Sequence, residues 1–390
     1  MVIQKNNIEH LPWLDGLRGI AALWVLLSHV QILSGFRTIP VLSWGSLAVD
    51  LFMMLSGFLM THHYILRKNK EPWERLSTAG KFWLRRFFRI APLYYVLLVI
   101  ALFMGDYLGE SRHSIAAVWP NTATDPERYF DQSIQNIIAH FTFYFGFSPT
   151  YSFRSPLPDW SIGLEMQFYL VFPLLMFLMY KFGPVKITFA TLLGCLFLQN
   201  VFPGFFHQFQ MPSFLLLKLY VFSIGIWIAL ARDDGEMKRG FAVALGIAIA
   251  YFVMDRSGLA FGRIVIVVLM FYLMDNGTMP ASKYLTKVVE WARVTLSSRI
   301  SVFLGETSYA SYLVHLLFVI PIAGWLSTQT FYVELPGSVR FGLCLALTIP
   351  FIYFTSWVLF NKVEKRGIDI GKLAIKAFEK KKFSNANTFK

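Results

Sequence analysis

Apolar residues in this chain fall into ten blocks, most of them roughly 18 to 22 residues long, near positions 14–34, 44–65, 90–108, 160–181, 185–203, 213–231, 239–254, 258–275, 303–325 and 339–361. A helix of about 20 residues crosses a hydrocarbon core of about 30 Å. Backbone polar groups find no water in lipid, so only helices and closed barrels span it, and long unbroken apolar runs specify helices. The expected fold is therefore an all-α integral membrane bundle of about ten transmembrane helices. The 15% of charged residues agrees with this, since a soluble domain carries about 25%. No stretch is long and polar enough for a soluble domain. The connections at 66–89, 109–158 and 276–300 are the only room for structure outside the membrane.

The formal net charge is +13. In a soluble chain this would suggest nucleic acid, but here Lys and Arg sit in short connections between spans, where they set orientation. With a cytoplasmic N-terminus, the connection carrying Arg67, Lys68, Lys70, Arg75, Lys81, Arg85, Arg86 and Arg89 lies inside. One segment, Ile134–Phe147, is apolar but short and contains His140. If it does not cross, the later basic clusters (Lys181/Lys186, Arg232/Lys238/Arg239, Lys283/Lys287/Arg293/Arg299 and the tail) also fall inside. If it crosses, all of them flip. The positive-inside rule thus favours ten spans with both termini cytoplasmic. Residues 1–373 form the expected transmembrane domain, and 374–390 a basic cytoplasmic tail expected to fray into disorder. Cys195 and Cys344 lie in apolar runs and read as small buried hydrophobes, with no disulfide framework or metal-ligand spacing. Asp15, Arg18 and His29 interrupt the first apolar block, which speaks against a cleavable signal peptide.

Ionisable groups within spans are expensive to insert, by about 2.5–3.5 kcal/mol, and mark candidate sites. In Leu14–Val30, Arg18 and His29 are eleven steps apart, which is about 16 Å along a helix on nearly the same face. An arginine at the cytoplasmic mouth and an imidazole that much deeper suit a long thioester donor with phosphates at one end. The plainer alternative is a snorkelling arginine and a packed histidine. In Trp44–His63, Asp50 falls at a depth near His29 and could set its tautomer, while Ser56 and Gly57 permit close helix approach. His62 and His63 at the end of that block read as interfacial. In Lys81–Tyr95, Arg86 and Arg89 share a helix face ahead of Pro92, and guanidinium forks suit phosphates. In Pro156–Pro173, Trp160 anchors an interface and Glu165 lies within the span. Glu306, Tyr309, Tyr312 and His315 recur every three residues as a polar stripe on one helix, with Ser308 beside it, either lining a pocket or bonding between helices. No Walker loop, dinucleotide fingerprint, nucleophile elbow or zinc motif competes.

These stretches resemble the acyltransferase-3 family, membrane O-acyltransferases that decorate bacterial surface polysaccharides and related molecules. The resemblance rests on Arg-x10-His (Arg18, His29), D-x-F-x-x-L-S-G-F (Asp50 to Phe58), R-x-x-R-I-x-P (Arg86 to Pro92), W-S-x-x-x-E (Trp160 to Glu165) and S-Y-x-x-Y-L-x-H (Ser308 to His315). It implies a ten-helix core, acyl-CoA (often acetyl-CoA) as donor substrate rather than a resident cofactor, and an extracytoplasmic carbohydrate acceptor, in a multi-pass protein of the inner (plasma) membrane. It also implies a central catalytic role for His29 and donor binding or transfer by Arg18, Arg86 and Arg89. At 390 residues the chain looks like the stand-alone form, without an appended SGNH-type esterase domain.

The expected site is then His29, Asp50 and Glu165 as catalytic groups. Arg18, Arg86 and Arg89 hold the donor, and Ser56, Trp160, Tyr309, Tyr312 and His315 line the substrate pocket. His29 acts as general base on the acceptor hydroxyl or is transiently acylated; both routes fit. The expected partners are acyl-CoA, a carbohydrate acceptor and the bilayer, with no nucleic acid and no metal; a homodimer is compatible with the sequence. Acceptor choice is assigned to 109–158, whose Trp119, Tyr129, Phe130, Tyr144 and Tyr151 suit sugar stacking. The alternative function is a proton-coupled transporter or flippase of an anionic or lipid-linked sugar. The chain shows no inverted repeat to support it.

Overall fold

The computed structural model describes residues 11–36, 39–254, 257–275 and 277–388. Among them are ten apolar helices that correspond to the ten blocks: α1 (Pro12–Leu33), α2 (Gly45–Arg67), α3 (Leu76–Phe103), α4 (Trp160–Phe182), α5 (Pro184–Val201), α6 (Leu215–Asp234), α7 (Met237–Met254), α8 (Gly258–Met274), α9 (Ser308–Ser327) and α10 (Gly337–Leu359). Nine are long and apolar enough to cross a membrane; α8 is apolar but one residue shorter than the shortest of them. Ile134–Phe141 is an eight-residue helix followed by a turn. At about 1.5 Å per residue it falls well short of a bilayer.

Proline and serine set the helix starts. Pro12 and Pro184 occupy the first turns of α1 and α5, where a missing N–H costs nothing. Ser133, Ser257, Ser282 and Ser298 each accept a first-turn N–H as N-caps. Two boundaries differ from the sequence reading. α3 begins at Leu76, so Pro92 lies inside it rather than opening it. Pro92 frees the Phe88 carbonyl, and the helix Lys365–Thr388 packs against that point through Gly367, where a Cβ would sit 2.8 Å from Phe88 O. The block at 303–325 is split at Thr307 into Arg299–Glu306 and α9. The short helix brings Gly305 onto α1, where a Cβ would lie 2.0 Å from Asp15 O.

Burial orders the bundle. α6 and α9 have 78% of their apolar window enclosed and α5 only 11%, so the first two are central. α5 turns Phe189, Leu193 and Phe197 outward, as a lipid-facing helix does. The tightest crossing is between α2 and α6. A Cβ on Gly57 would meet Phe222 O at 2.3 Å, and one on Gly225 would meet Met54 O at 2.0 Å. Backbone lies against backbone here, as small residues allow in membranes. Gly225→Leu must push α6 off α2 and is expected to abolish recovery of monodisperse protein from detergent. Normal yield and melting temperature would refute this account of the crossing.

The connection between α3 and α4 is folded rather than loose. The helix Gly105–Val118 follows α3 after Met104. Arg154 ties the loop to Asp131 at 2.9 Å and to Glu127. Beneath it lies a buried polar knot: Tyr94 donates to Asp159 at 3.1 Å, His140 Nε2 approaches the same carboxylate at 3.6 Å, and Arg128 donates to the Ser155 carbonyl at 3.0 Å. Of the aromatic residues assigned to sugar stacking, Tyr129 is buried and Trp119 packs under Arg340 and beside Tyr332. Tyr144 is exposed.

Candidate active site

A cleft enters the bundle from the end that carries the basic start of α3. Its mouth is lined by Asp15 and Arg18 of α1, His62 and His63 of α2, and Arg86 and Arg89 of α3. Deeper, the same arginines meet Ser56, Glu165, Tyr169 and Tyr309. The inner end is formed by Phe52, Met53, Ser161, Glu165, Phe222, Tyr309 and Tyr312, still with Arg18 at one edge. The three stretches adjoin one another through shared wall residues, Arg18 above all. Helix periodicity explains the wall: Val49, Phe52, Met53 and Ser56 fall on one face of α2 at about 100° per residue.

The mouth is strongly cationic. Arg89 is paired with the buried Glu364 at 2.5 Å. Glu364 closes a π-helical turn, Phe360–Glu364, that continues α10. Arg18 and Arg86 have no carboxylate at ion-pair distance among the described residues. The Arg86 guanidinium lies 5.8 Å from the Phe82 ring and 5.9 Å from the Tyr169 ring, and its Nε has no hydrogen-bond partner among the described residues. A guanidinium backed by rings and without a carboxylate among the described residues, as at Arg86, is suited to an incoming phosphate.

Midway along, Glu165 accepts from Ser56 Oγ at 2.8 Å and from the Tyr169 hydroxyl. These bonds settle how a carboxylate persists within the span. At the inner end, Tyr312 donates to the Pro158 carbonyl at 2.7 Å, and its oxygen lies 2.7 Å from Ser161 Oγ. Tyr309 donates to the Ile90 carbonyl at 2.9 Å. Behind Tyr312 lies His315, with ring centroids 6.1 Å apart, and then His29, whose ring centroid is 4.9 Å from that of His315. The two imidazoles are hydrogen-bonded, Nε2 of His315 to Nδ1 of His29, at 3.1 Å.

Adjoining cavities with guanidiniums at the mouth, a carboxylate midway and two imidazoles behind the inner wall have the charges to hold an anion and the groups to move a proton. A family model described as an acyltransferase domain matches residues 11–357. The chain belongs to the acyltransferase-3 family. It is 28% identical over 341 residues to acyltransferase MdmB of Streptomyces mycarofaciens, covering 80% of each chain. It is 29% identical over 187 residues to peptidoglycan O-acetyltransferase OatA of Listeria monocytogenes, covering 46% of this chain and 26% of that one. A putative O-acetyltransferase of Staphylococcus aureus is 24% identical over 416 residues, covering 93% of this chain and 59% of that one. The chain therefore spans most of the first relative's length but only part of the other two. No solved structure matches it.

In this acyltransferase the predicted site residues do not all converge. Arg18, Arg86, Arg89, Ser56, Glu165, Tyr309 and Tyr312 line the passage. His29 and His315 adjoin it through Tyr312. Trp160 opens α4 and packs against the core; its neighbour Ser161 is the cleft residue. Asp50 requires a correction. It is completely buried and turned about 100° around α2 from the cleft face. Lys218 Nζ of α6 lies 2.7 Å from its Oδ1, and Arg263 Nε of α8 lies 2.6 Å from its Oδ2. Both its oxygens are committed there, and the ring partner of His29 is His315 instead. Lys218, Arg263 and Glu364 are not among the residues expected from the sequence. The signal was available, since each is an ionisable residue within or at the end of an apolar run.

Proposed function

We propose that this acyltransferase moves an acyl group, in the simplest case acetyl, from cytoplasmic acyl-CoA to a hydroxyl of an extracytoplasmic carbohydrate. The thioester C–S bond breaks, the new ester C–O bond forms, and the hydroxyl proton ends on the departing thiolate as free CoA thiol. The observation that carries this reading is the run of adjoining cavities from the Arg18–Arg86–Arg89 mouth to Tyr312, with the imidazole pair packed behind Tyr312. Along α1, Arg18 and His29 are about 16 Å apart, a span that separates a donor's phosphates from its reactive end.

The arginines at the cleft's mouth, with the Lys and Arg of the connection before α3, support a cytoplasmic orientation for that end, by the positive-inside rule, and with it both termini inside; an all-helical bundle fits residence in the inner membrane. A hydroxyl acceptor is supported by the relatives named as O-acetyltransferases, and a carbohydrate by the one named for peptidoglycan. His29 serves as base or nucleophile, and Glu165 lines the donor's path. Asp50 has no part in the passage.

The test is direct. Purified protein in bilayer nanodiscs, given radiolabelled acetyl-CoA and a polysaccharide or lipid-linked sugar, is expected to transfer label to an alkali-labile ester. Absence of transfer from acetyl and longer acyl-CoAs alike would overturn the reading. Arg86→Ala is expected to raise the donor KM roughly ten- to hundredfold with a smaller change in kcat, because a charge-assisted bond contributes about 1.5–3 kcal/mol. An unchanged donor KM would remove Arg86 from the donor site.

A further inference from the structure

We propose that His315 is the positioning residue of the imidazole pair: it helps hold His29 in the tautomer that carries its proton on Nδ1 and leaves the Nε2 lone pair for the reaction. The inference rests on the reading that His29 performs the transfer chemistry.

The assignment runs from a backbone carbonyl through two rings. Carbonyl oxygens only accept. Nδ1 of His315 lies 2.7 Å from the Tyr312 carbonyl, so in the neutral ring that nitrogen bears the hydrogen. A neutral imidazole has one N–H, which leaves Nε2 of His315 as an acceptor. That Nε2 faces Nδ1 of His29 at 3.1 Å, and the Val25 carbonyl faces the same Nδ1 at 3.0 Å. Two acceptors on one nitrogen require it to be the N–H. Nε2 of His29 then holds the free lone pair, and no hydrogen-bond partner meets it among the described residues. His315 is completely buried, so water does not compete for its Nε2.

The Val25 carbonyl alone is a poorer anchor. It lies one turn back on the same helix and already serves the backbone ladder of α1. His315 supplies an otherwise unused lone pair from a different helix, and so fixes the ring's rotation as well as its tautomer. The carboxylate of a Ser-His-Asp triad does the same for its histidine. Here the partner is a neutral ring of α9. It orients His29 without placing a negative charge beside it.

The variants follow from side-chain length. Glutamine in place of His315 reaches the position of Nε2 with an amide oxygen that can accept from His29. Asparagine reaches only the position of Nδ1. In nanodiscs, with CoA thiol release as readout, His315→Gln is expected to retain kcat within about threefold. His315→Asn is expected to lose about ten- to hundredfold in kcat, less than the roughly ten-thousandfold cost of a wrong tautomer in a protease triad, since Val25 remains. Donor KM should stay within about twofold in both, because neither touches the cationic mouth. Equal losses in Gln and Asn, or full activity in Asn, would overturn the proposal. His29→Ala separates the two readings. If it is inactive while His315→Asn is not, only the positioning role fails. If His29→Ala is active, the role of His29 fails first and the positioning role with it.

Discussion

His29→Ala is expected to lower kcat for acyl transfer by about a hundred- to ten-thousandfold, the range that a positioned general base supplies. The loss should be larger still if the imidazole is acylated. Donor KM should barely move, since Arg86 and Arg89 line the mouth and not the inner cavity. The protein should remain folded, because His29 is not fully buried and the backbone ladder of α1 does not depend on its ring. Steady-state kinetics alongside a thermal melt would check both halves. Retention of transfer would remove the imidazole from the mechanism. A loss of transfer that simply tracked a loss of folded protein would assign His29 to packing instead.

Asp50→Asn is expected to act in the opposite way, through the fold. The substitution leaves Lys218 and Arg263 buried without the carboxylate that now lies 2.7 and 2.6 Å from them. Breaking a buried ion cluster by removing one partner typically costs about 3–5 kcal/mol, because a charge remains in a medium that does not solvate it. A large drop in melting temperature and in yield is expected. Lys218→Met should be milder, since Asp50 keeps Arg263. Asp50→Asn protein of normal stability but without activity would restore the catalytic assignment that the geometry withdraws.

The two predictions mark the border between sequence and structure. Depth along a helix is a one-dimensional quantity, and the sequence supplies it: Arg18 and His29 are eleven residues apart in an apolar block wherever α1 sits. The same applies to the ten apolar runs, the shortness of the segment Ile134–Phe147, and the face shared by Arg86 and Arg89. The high free energy of a charge in hydrocarbon made Glu165 and Asp50 equally conspicuous and placed both near the depth of His29. It could not say which way either side chain turns. Glu165 faces the passage and Asp50 faces α6 and α8.

Azimuth and pairing are set by how helices distant in sequence pack. That packing depends on features such as the backbone contact between Gly57 and Gly225, whose partners lie 168 positions apart in the chain. So the sequence determined a helical membrane protein with cations at one depth and an imidazole at another, because long unbroken apolar runs satisfy their backbone in lipid as helices and helix rise is fixed. Tertiary structure alone decided that His315 meets His29 and that Lys218 and Arg263 claim Asp50, because a helix's rotation about its own axis follows from its neighbours.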